Sequence, residues 1–124
     1  MDKIKFAIVG IGSIGKRHIA VLDAEPRAAI VGICDIDAEK TAEQSDLYEG
    51  LNSFTNYSEM LDNIDADVIN VVTPHALHAD MSIEALEKGF NVLVEKPMAL
   101  SMSDCTRMNE AATRTGNRLW VVKQ

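Results

Sequence analysis

A glycine-rich stretch between an apolar run and a helical pattern constrains the fold of this chain more than any other feature. The stretch runs Gly10-Ile11-Gly12-Ser13-Ile14-Gly15-Lys16-Arg17-His18 and follows the run Ile4 to Val9. That run is continuously apolar rather than alternating, which is typical of a strand buried on both faces of a sheet. The next stretch is predicted to be a helix, because four of its less polar residues occupy positions i, i+4, i+7 and i+8, which lie on one face of a helix. These residues are Ile14, His18, Val21 and Leu22. The sequence therefore predicts a buried strand that enters a helix through a glycine turn.

Two kinds of phosphate site share this context, and the residue after Lys16 separates them. The phosphate loop of ATP- and GTP-hydrolysing proteins requires Ser or Thr there, because that hydroxyl binds Mg²⁺. This chain has Arg17, and a guanidinium cannot bind a cation. A dinucleotide-binding turn has no such requirement, so the glycine pattern favours it.

The three glycines have distinct roles in a dinucleotide-binding turn. Gly10 makes the tight turn, Gly12 lets the backbone approach a pyrophosphate, and Gly15 allows the helix to pack closely on the strand. The phosphates then lie at the positive end of the helix, beside Ser13 and Ile14. We therefore predict that these five residues bind a nucleotide cofactor. The alternative is a glycine-rich turn in a fold that binds another ligand, such as the adenosyl group of S-adenosylmethionine.

An acidic residue is expected about 20 residues further on, at the end of the second strand. Asp35 stands there, directly after the apolar run Ala29 to Cys34. A carboxylate at this position accepts hydrogen bonds from the adenosine ribose hydroxyls and repels the 2′-phosphate of NADP. Ile36 and Asp37 follow without an adjacent Arg or Lys. The sequence therefore predicts NAD as the cofactor in preference to NADP.

Apolar runs alternate with amphipathic stretches along the rest of the chain. Further strands are predicted at Ala29 to Cys34, Asn52 to Thr55, Val68 to Val72, Asn91 to Val94 and Arg118 to Val122. Further helices are predicted at Asp37 to Gly50, Leu77 to Gly89 and Ser101 to Gly116, the last opened by a capping box of Ser101 and Asp104. This alternation predicts an α/β fold, a doubly wound parallel sheet of about six strands with helices on both faces. The length fits one domain, 1–124.

Composition excludes several classes of function. The formal net charge of −7 argues against nucleic acid or an anionic membrane as the partner. No apolar run approaches the ~18 residues that span a bilayer. Neither the two cysteines, Cys34 and Cys105, nor the three histidines have metal-ligand spacing, so no metal site is expected. Free thiols indicate a reducing compartment, and we expect a cytoplasmic protein.

Polar residues follow two later strands at the point where each strand ends. Thr73-Pro74-His75 follows the run Val68 to Val72, and Glu95-Lys96-Pro97 follows Asn91 to Val94. Ligands of an open parallel sheet bind beyond the carboxyl ends of its strands, where the strand order reverses. Both segments are therefore predicted to share one crevice with the glycine turn.

These motifs together resemble the glucose–fructose oxidoreductase and inositol dehydrogenase family. The resemblance rests on the glycine turn with His18, on Thr73-Pro74-His75 with His78, and on Glu95-Lys96-Pro97, and it covers all 124 residues. It implies a Rossmann domain, the N-terminal half of an NAD(P)-dependent oxidoreductase. The substrates implied are sugars, cyclitols, sugar nucleotides and related alcohols.

The resemblance also implies roles for the residues after the later strands. Lys96 would be the catalytic residue, beside the nicotinamide and hydrogen-bonded to the reacting hydroxyl or carbonyl. Glu95 would position Lys96 or contact the nicotinamide. Further residues would line the cofactor site; these are Thr73, Pro74, His75 and Pro97. A surface lysine in a loop is the alternative for Lys96. His18 is expected to be structural, packed on the inner face of its helix, and His78 to be a packing or hydrogen-bonding residue at the start of its helix.

Members of that family carry a second, largely antiparallel α/β domain that supplies most substrate contacts and the oligomer interface. This sequence contains no such domain, so we expect a fragment of a homo-oligomeric protein that binds cofactor with little turnover. Exposed apolar residues are expected at 97–102 and 119–122, where the second domain would pack. The alternative is a module that senses NAD(H) and regulates a partner without chemistry.

Overall fold

The computed structural model describes residues 2–122. The strands are β1 (Ile4–Val9), β2 (Ala28–Cys34), β3 (Asn52–Phe54), β4 (Val68–Val71), β5 (Asn91–Val94) and β6 (Leu119–Val121). The α-helices are α1 (Ser13–Asp23), α2 (Ala38–Leu47), α3 (Tyr57–Asn63), α4 (His78–Glu87) and α5 (Met102–Thr115). A 3-10 turn, His75–Leu77, leads directly into α4.

All six strands are parallel and lie in the order β3-β2-β1-β4-β5-β6. The chain builds outward from β1 to β3, then crosses back to β4 and builds outward in the other direction. The strand order therefore reverses between β1 and β4, and a crevice forms at the carboxyl ends of these two strands. The predicted doubly wound sheet is confirmed.

Helices cover both faces of the sheet, and β1 shows why its residues are continuously apolar. Ala7 and Val9 belong to a buried cluster that includes residues of α3, α4 and α5. Ile8, between them, belongs to a second cluster with Ile19 of α1 and Ile33 of β2. Both faces of β1 are thus buried, as predicted for a strand in the centre of a parallel sheet.

A side-chain cap and a glycine set the two ends of α5. The Ser101 hydroxyl accepts a hydrogen bond of 3.1 Å from the Asp104 N–H, and Gly116 ends α5 with a φ of +74°. The reciprocal bond of a capping box would run from the Ser101 N–H to the Asp104 carboxylate. Here that carboxylate accepts a bond from the Arg107 guanidinium instead. Only half of the predicted capping box is therefore present in the described structure.

Two helices differ from the sequence prediction. α2 ends at Leu47 rather than Gly50, because Tyr48 at its C-cap has extended backbone angles. Gly50 lies in the turn before β3, with a φ of +82°. α3 is not predicted by the sequence pattern, since seven residues are too few to display a helical period. It is capped by Asn56.

The residues whose spacing predicts α1 are not the ones that the structure buries. Gly15 and Ile19 are buried, whereas Ile14 is 43% and Val21 63% exposed. The cluster that buries Ile19 contains residues of β1 and β2, so α1 covers that half of the sheet. On its other side α1 opens onto a cavity of about 400 Å³.

Candidate functional site

The turn between β1 and α1 has a geometry that two of its glycines permit. Gly10 has a φ of +97°, and a Cβ there would lie 2.7 Å from the backbone carbonyl group of Val72. A Cβ on Gly15 would collide with the Gly10 carbonyl oxygen, so the first turn of α1 lies directly against the end of β1. The roles predicted for these two glycines, a tight turn and close packing of helix on strand, match this geometry.

The N-terminus of α1 is open and lacks a side-chain cap. Gly12 is its N-cap residue, and no acidic residue lies in the first turn. The N–H groups of Ser13, Ile14 and Gly15 therefore have no intrahelical partner and form the positive end of the helix dipole. A Cβ on Gly12 would meet nothing within 4 Å, so a ligand can approach the backbone there. This arrangement suits an anion.

Asp35 is tied to the glycine turn by a hydrogen bond between neighbouring strands. Its Oδ2 accepts a bond of 2.8 Å from the N–H of Ile11, and its Oδ1 accepts one of 2.9 Å from the N–H of Asp37. Each carboxylate oxygen has a second lone pair that can accept a hydroxyl. The predicted acid therefore lies beside the turn, oriented by two backbone donors.

Nine of the predicted binding residues line one cavity of about 600 Å³. They are Gly10, Gly12, Ser13, Ile14, Gly15, Asp35, Thr73, Pro74 and His75. Lys40 of α2 lines it as well, a residue that the sequence reasoning missed. The signal was available, because Lys40 is in the first turn of the helix that Asp37 caps. The end of β4 and the glycine turn thus meet in one crevice.

A second cavity of about 430 Å³ adjoins the first and is mostly apolar in its lining. The two cavities share Gly10, Asp35, Lys40, Thr73 and Pro74. The second is also lined by Cys34, Ile36, Tyr57, Leu77 and Met81. An apolar slot next to a carboxylate is suited to a flat, weakly polar ring.

Burial keeps two titratable groups of this second cavity neutral. It raises the pKa of Cys34 to about 11, and the negative charge of Asp35 adds to the effect. Burial also raises the pKa of Tyr57, whose hydroxyl donates a bond of 2.8 Å to the Met81 carbonyl oxygen. Neither group supplies a charge at neutral pH, so the charges lining this slot belong to the carboxylates of Asp35 and Asp37 and to Lys40.

The Glu95-Lys96-Pro97 segment is held apart from the 600 Å³ cavity. Glu95 is only 7% exposed, and its carboxylate accepts bonds from His18 Nε2 at 2.9 Å and from the Lys96 N–H at 3.2 Å. Glu95 lines the 400 Å³ cavity on the other side of α1, together with His18 and Asn70. The Lys96–Pro97 peptide bond is cis. The described structure therefore does not bring these three residues into the cavity that the other nine line.

The side chains of His18 and His78 are both hydrogen-bonded. His18 bonds Glu95 and also lies 3.1 Å, through Nδ1, from Nδ2 of Asn70, so it is a polar link as well as a residue of the helix face. His78 is fully buried and lies between two carbonyl oxygens. Asn70, whose buried Oδ1 has no hydrogen-bond partner among residues 2–122, was missed by the sequence reasoning because it stands inside an apolar strand.

Two negative findings apply to residues 2–122. No three or more His, Cys, Asp or Glu side chains of this range are grouped so that they could hold a metal ion. Within the same range, no helix has the length and apolar character needed to cross a membrane.

The sequence of residues 4–123 matches the profile of an oxidoreductase family described as having an NAD-binding Rossmann fold. The match spans nearly the whole chain and coincides with the sheet and turn described above. The chain belongs to this oxidoreductase family. Its Rossmann fold accounts for the strand order, the glycine turn and the acid at the end of β2.

Several relatives in this oxidoreductase family are named enzymes. The inositol 2-dehydrogenase of Salmonella typhimurium is 31% identical over 118 residues, which cover 94% of this chain and 35% of the relative. The glucose-6-phosphate 3-dehydrogenase of Bacillus subtilis is 33% identical over 114 residues, 92% of this chain and 32% of the relative. The chain thus spans about a third of the length of these relatives.

Solved structures with the same Rossmann fold include two sugar-nucleotide complexes. The WlbA dehydrogenase of Chromobacterium violaceum, in complex with NADH and UDP-GlcNAcA, matches with a TM-score of 0.96 and 38% identity, over 100% of this chain and 36% of that one. The WlbA dehydrogenase of Bordetella pertussis, with the same ligands, matches with a TM-score of 0.94 and 39% identity. That match covers 98% of this chain and 37% of the other.

Proposed function

We propose that this Rossmann domain binds the adenosine and pyrophosphate of NAD(H) in the two adjoining cavities and serves a dehydrogenase that acts on a sugar-type alcohol. The observation that carries the proposal is the bond between the Asp35 carboxylate and the Ile11 N–H, beside an uncapped helix N-terminus. The amides of Ser13, Ile14 and Gly15 bind the pyrophosphate, and Asp35 accepts the adenosine ribose hydroxyls. Ile36, Leu77 and Met81 line the slot for adenine.

In this proposal the residues after β4 and β5 serve the other half of the cofactor. Thr73, Pro74 and His75 form the wall of the crevice, and Pro97 follows Lys96 at the end of β5. The nicotinamide, when bound, supplies the hydride acceptor or donor. The Lys96 side chain gives or takes the proton on the reacting oxygen, or stabilises negative charge that develops there. The Glu95 carboxylate orients Lys96 by accepting its backbone N–H.

The preference for NAD over NADP rests on two opposite charges in one cavity. The Asp35 carboxylate repels a 2′-phosphate and accepts the free hydroxyls of NAD. Lys40, which lines the same cavities, attracts a phosphate, but Asp35 is nearer to the turn that holds the pyrophosphate and is oriented by two backbone bonds. We therefore propose that NAD binds more tightly than NADP and that Lys40 keeps some affinity for NADP.

The remaining parts of the proposal concern the protein to which this domain contributes. The inositol, glucose-6-phosphate and sugar-nucleotide dehydrogenases among its relatives support a sugar-type substrate. Exposed apolar side chains at Leu100, Met102 and Trp120 support a second, substrate-binding domain that packs on this face. The family resemblance supports a homo-oligomer, and the free thiols of Cys34 and Cys105 support a cytoplasmic location.

Calorimetric titration with NAD⁺, NADH and NADP⁺ tests the cofactor assignment. Wild type is expected to bind NAD⁺ and NADH more tightly than NADP⁺. Asp35→Asn removes the negative charge with little change of shape and is expected to lower the preference for NAD, whereas Lys40→Met is expected to weaken NADP⁺ more than NAD⁺. Equal affinity of wild type for NAD⁺ and NADP⁺ would contradict the preference, and no binding of any of them would contradict the site.

Lys96→Met separates the enzyme from the NAD(H)-sensing module. In an enzyme this variant binds NADH with unchanged affinity but loses hydride transfer, measured at 340 nm with the polypeptide that carries both domains. Transfer at the wild-type rate would contradict the catalytic role of Lys96. The absence of hydride transfer in the wild-type protein with every sugar and cyclitol tested, despite NADH binding, would favour the sensing module.

A further inference from the structure

A largely buried histidine of α1, with 13% of its side chain exposed, holds the residue before Lys96. His18 Nε2 lies 2.9 Å from the Glu95 Oε1, and its Nδ1 lies 3.1 Å from Nδ2 of Asn70 in β4. The amide nitrogen of Asn70 is a donor, so Nδ1 accepts and the proton on Nε2 is donated to the carboxylate. The other oxygen of that carboxylate accepts the N–H of Lys96. The Glu95 carboxylate thus connects the His18 ring to the backbone N–H of Lys96.

A second buried histidine, at the start of α4, holds the residue after Lys96. His78 is 0% exposed. Its Nδ1 lies 2.8 Å from the carbonyl oxygen of Pro97, and its Nε2 lies 2.7 Å from the carbonyl oxygen of Thr73. A carbonyl oxygen only accepts, and a neutral imidazole carries one N–H, so a neutral ring donates to one of these oxygens at a time and only the imidazolium donates to both.

The two histidines contact the residues on either side of Lys96 in the chain. Each joins a partner in or just after β4, Asn70 or Thr73, to a partner just after β5, Glu95 or Pro97. They come from opposite faces of the sheet, because α1 contributes to one buried cluster and α4 to the other. We propose that His18 and His78 are positioning residues that clamp the segment 95–97 from both sides and so fix the backbone of Lys96.

The clamp is needed because the hydrogen bonds between β4 and β5 end at Glu95, one residue before Lys96. The Glu95 N–H still bonds the Val71 carbonyl oxygen, but Lys96 has only the Glu95 carboxylate for its own N–H among the hydrogen bonds of the described residues. A carboxylate that is 7% exposed and loses one donor turns toward water or toward another donor. Either movement releases the Lys96 N–H. The inference rests on the proposed role of Lys96, while its structural part is independent of it.

Hydrogen exchange at the Lys96 amide, measured by NMR on the cofactor-free chain, tests the clamp. His18→Leu removes both hydrogen bonds of the ring and keeps a side chain of similar volume. Because the Glu95 carboxylate then loses a donor and no longer holds the Lys96 N–H in place, we expect this amide to exchange about tenfold faster. His18→Gln is the matched variant, because its amide carries one donor and one acceptor at a separation similar to that of the ring nitrogens. It is expected to restore the wild-type exchange rate. His78→Leu is expected to accelerate the same amide, with partial rescue in His78→Gln.

The amide of Val92, bonded to Arg118 within the sheet, serves as the reference for the fold as a whole. The clamp predicts faster exchange at Lys96 with no change at Val92, and rescue by Gln at position 18. An unchanged Lys96 rate in folded His18→Leu, or equal acceleration in His18→Leu and His18→Gln, overturns the proposal. Should His78→Leu not fold, the pair at position 18 still decides the outcome.

NADH titration of the same samples keeps this test distinct from that of the proposed function. Failure of the wild type to bind NADH, with the predicted exchange pattern, contradicts the cofactor assignment and leaves the clamp standing. Normal NADH binding with an unchanged exchange pattern contradicts the clamp and leaves the cofactor assignment standing.

Discussion

The Asp35 carboxylate and the Ile11 backbone N–H, 24 positions apart in the chain, are joined by a hydrogen bond of 2.8 Å at the carboxyl ends of β2 and β1. This bond orients the carboxylate toward the cavity while it fixes the turn on which the pyrophosphate is proposed to rest. Asp35 therefore contributes to the shape of the site as well as carrying the proposed contact with the ribose.

Substitution of Asp35 is expected to lower stability before any cofactor is added. Asp35→Ala leaves the N–H groups of Ile11 and Asp37 without their charged acceptor. Hydrogen bonds to charged groups predict a loss of about 1.5–3 kcal/mol in the free energy of unfolding. Asp35→Asn keeps one acceptor oxygen and is expected to lose less. Urea denaturation measures both, and an Ala variant as stable as wild type would show that the bond contributes nothing.

Two glycine-to-alanine substitutions are expected to separate binding from folding. Gly12→Ala adds a Cβ into open space, so the domain folds with at most a few tenths of a kcal/mol lost at this N-cap position. The same methyl group occupies the path to the phosphate-binding amides, so NADH affinity is expected to fall at least tenfold.

Gly15→Ala, in contrast, forces a collision between the new Cβ and the Gly10 carbonyl oxygen. Overpacking of this kind costs about 1–3 kcal/mol or more, because backbone must move. We expect a lower midpoint of thermal unfolding for Gly15→Ala than for Gly12→Ala, measured by circular dichroism. The reverse order of stability would contradict the packing of α1 on β1.

The raised pKa of Cys34 predicts a thiol that reacts slowly. With a pKa of about 11, about one part in a thousand of this group is thiolate at pH 8. Iodoacetamide is therefore expected to label Cys105 first and Cys34 only as the pH approaches 11, as read by mass spectrometry after digestion. Because Cys34 lines the proposed adenine slot, NADH should slow its labelling further. Labelling of Cys34 first at pH 8 would contradict its burial.

The same shift predicts loss of stability in alkali. A folded-state pKa raised from 9.0 to about 11 favours the neutral thiol in the fold, so its contribution is fully present below pH 9. The contribution is lost as the pH rises from 9 to about 11. Tyr57, whose pKa is also raised by burial, acts in the same direction at higher pH. The fall in unfolding free energy between pH 9 and 11 is therefore expected to be smaller in Cys34→Ala than in wild type.

The cap of α5 is expected to contribute to stability without affecting the site. Ser101→Ala removes the acceptor of the Asp104 N–H and is expected to cost about 1 kcal/mol in urea denaturation. Ser103→Ala, two residues on and exposed inside the helix, is the matched control and is expected to be neutral or slightly stabilising. NADH affinity should stay unchanged in both. Equal stability of the two variants would show that Ser101 is not a cap.

Short-range sequence patterns predicted the strands, all helices except α3, and the half of the site that consists of the glycine turn and Asp35. The run Ile4 to Val9, the glycine turn after it and the acid after β2 are each readable from neighbouring residues. Their assembly follows from rules on parallel sheets and right-handed crossovers, so the doubly wound sheet and the meeting of Asp35 with the turn were predictable. The segment α3 was not, because its seven residues are too few to display a helical period.

Only the tertiary structure decided the relations around Lys96. His18 and Glu95 are 77 positions apart, and Asn70 and His18 are 52 apart. No local period records such pairs, because they arise where α1 packs over the ends of β4 and β5. The sequence by itself determined which residues carry hydrogen-bonding groups and which strands bring them to one edge. Packing alone decided which of those groups bond to one another. A hydrogen bond forms or fails with a change of a few tenths of an ångström in the distance between two groups, and these groups are remote in the chain.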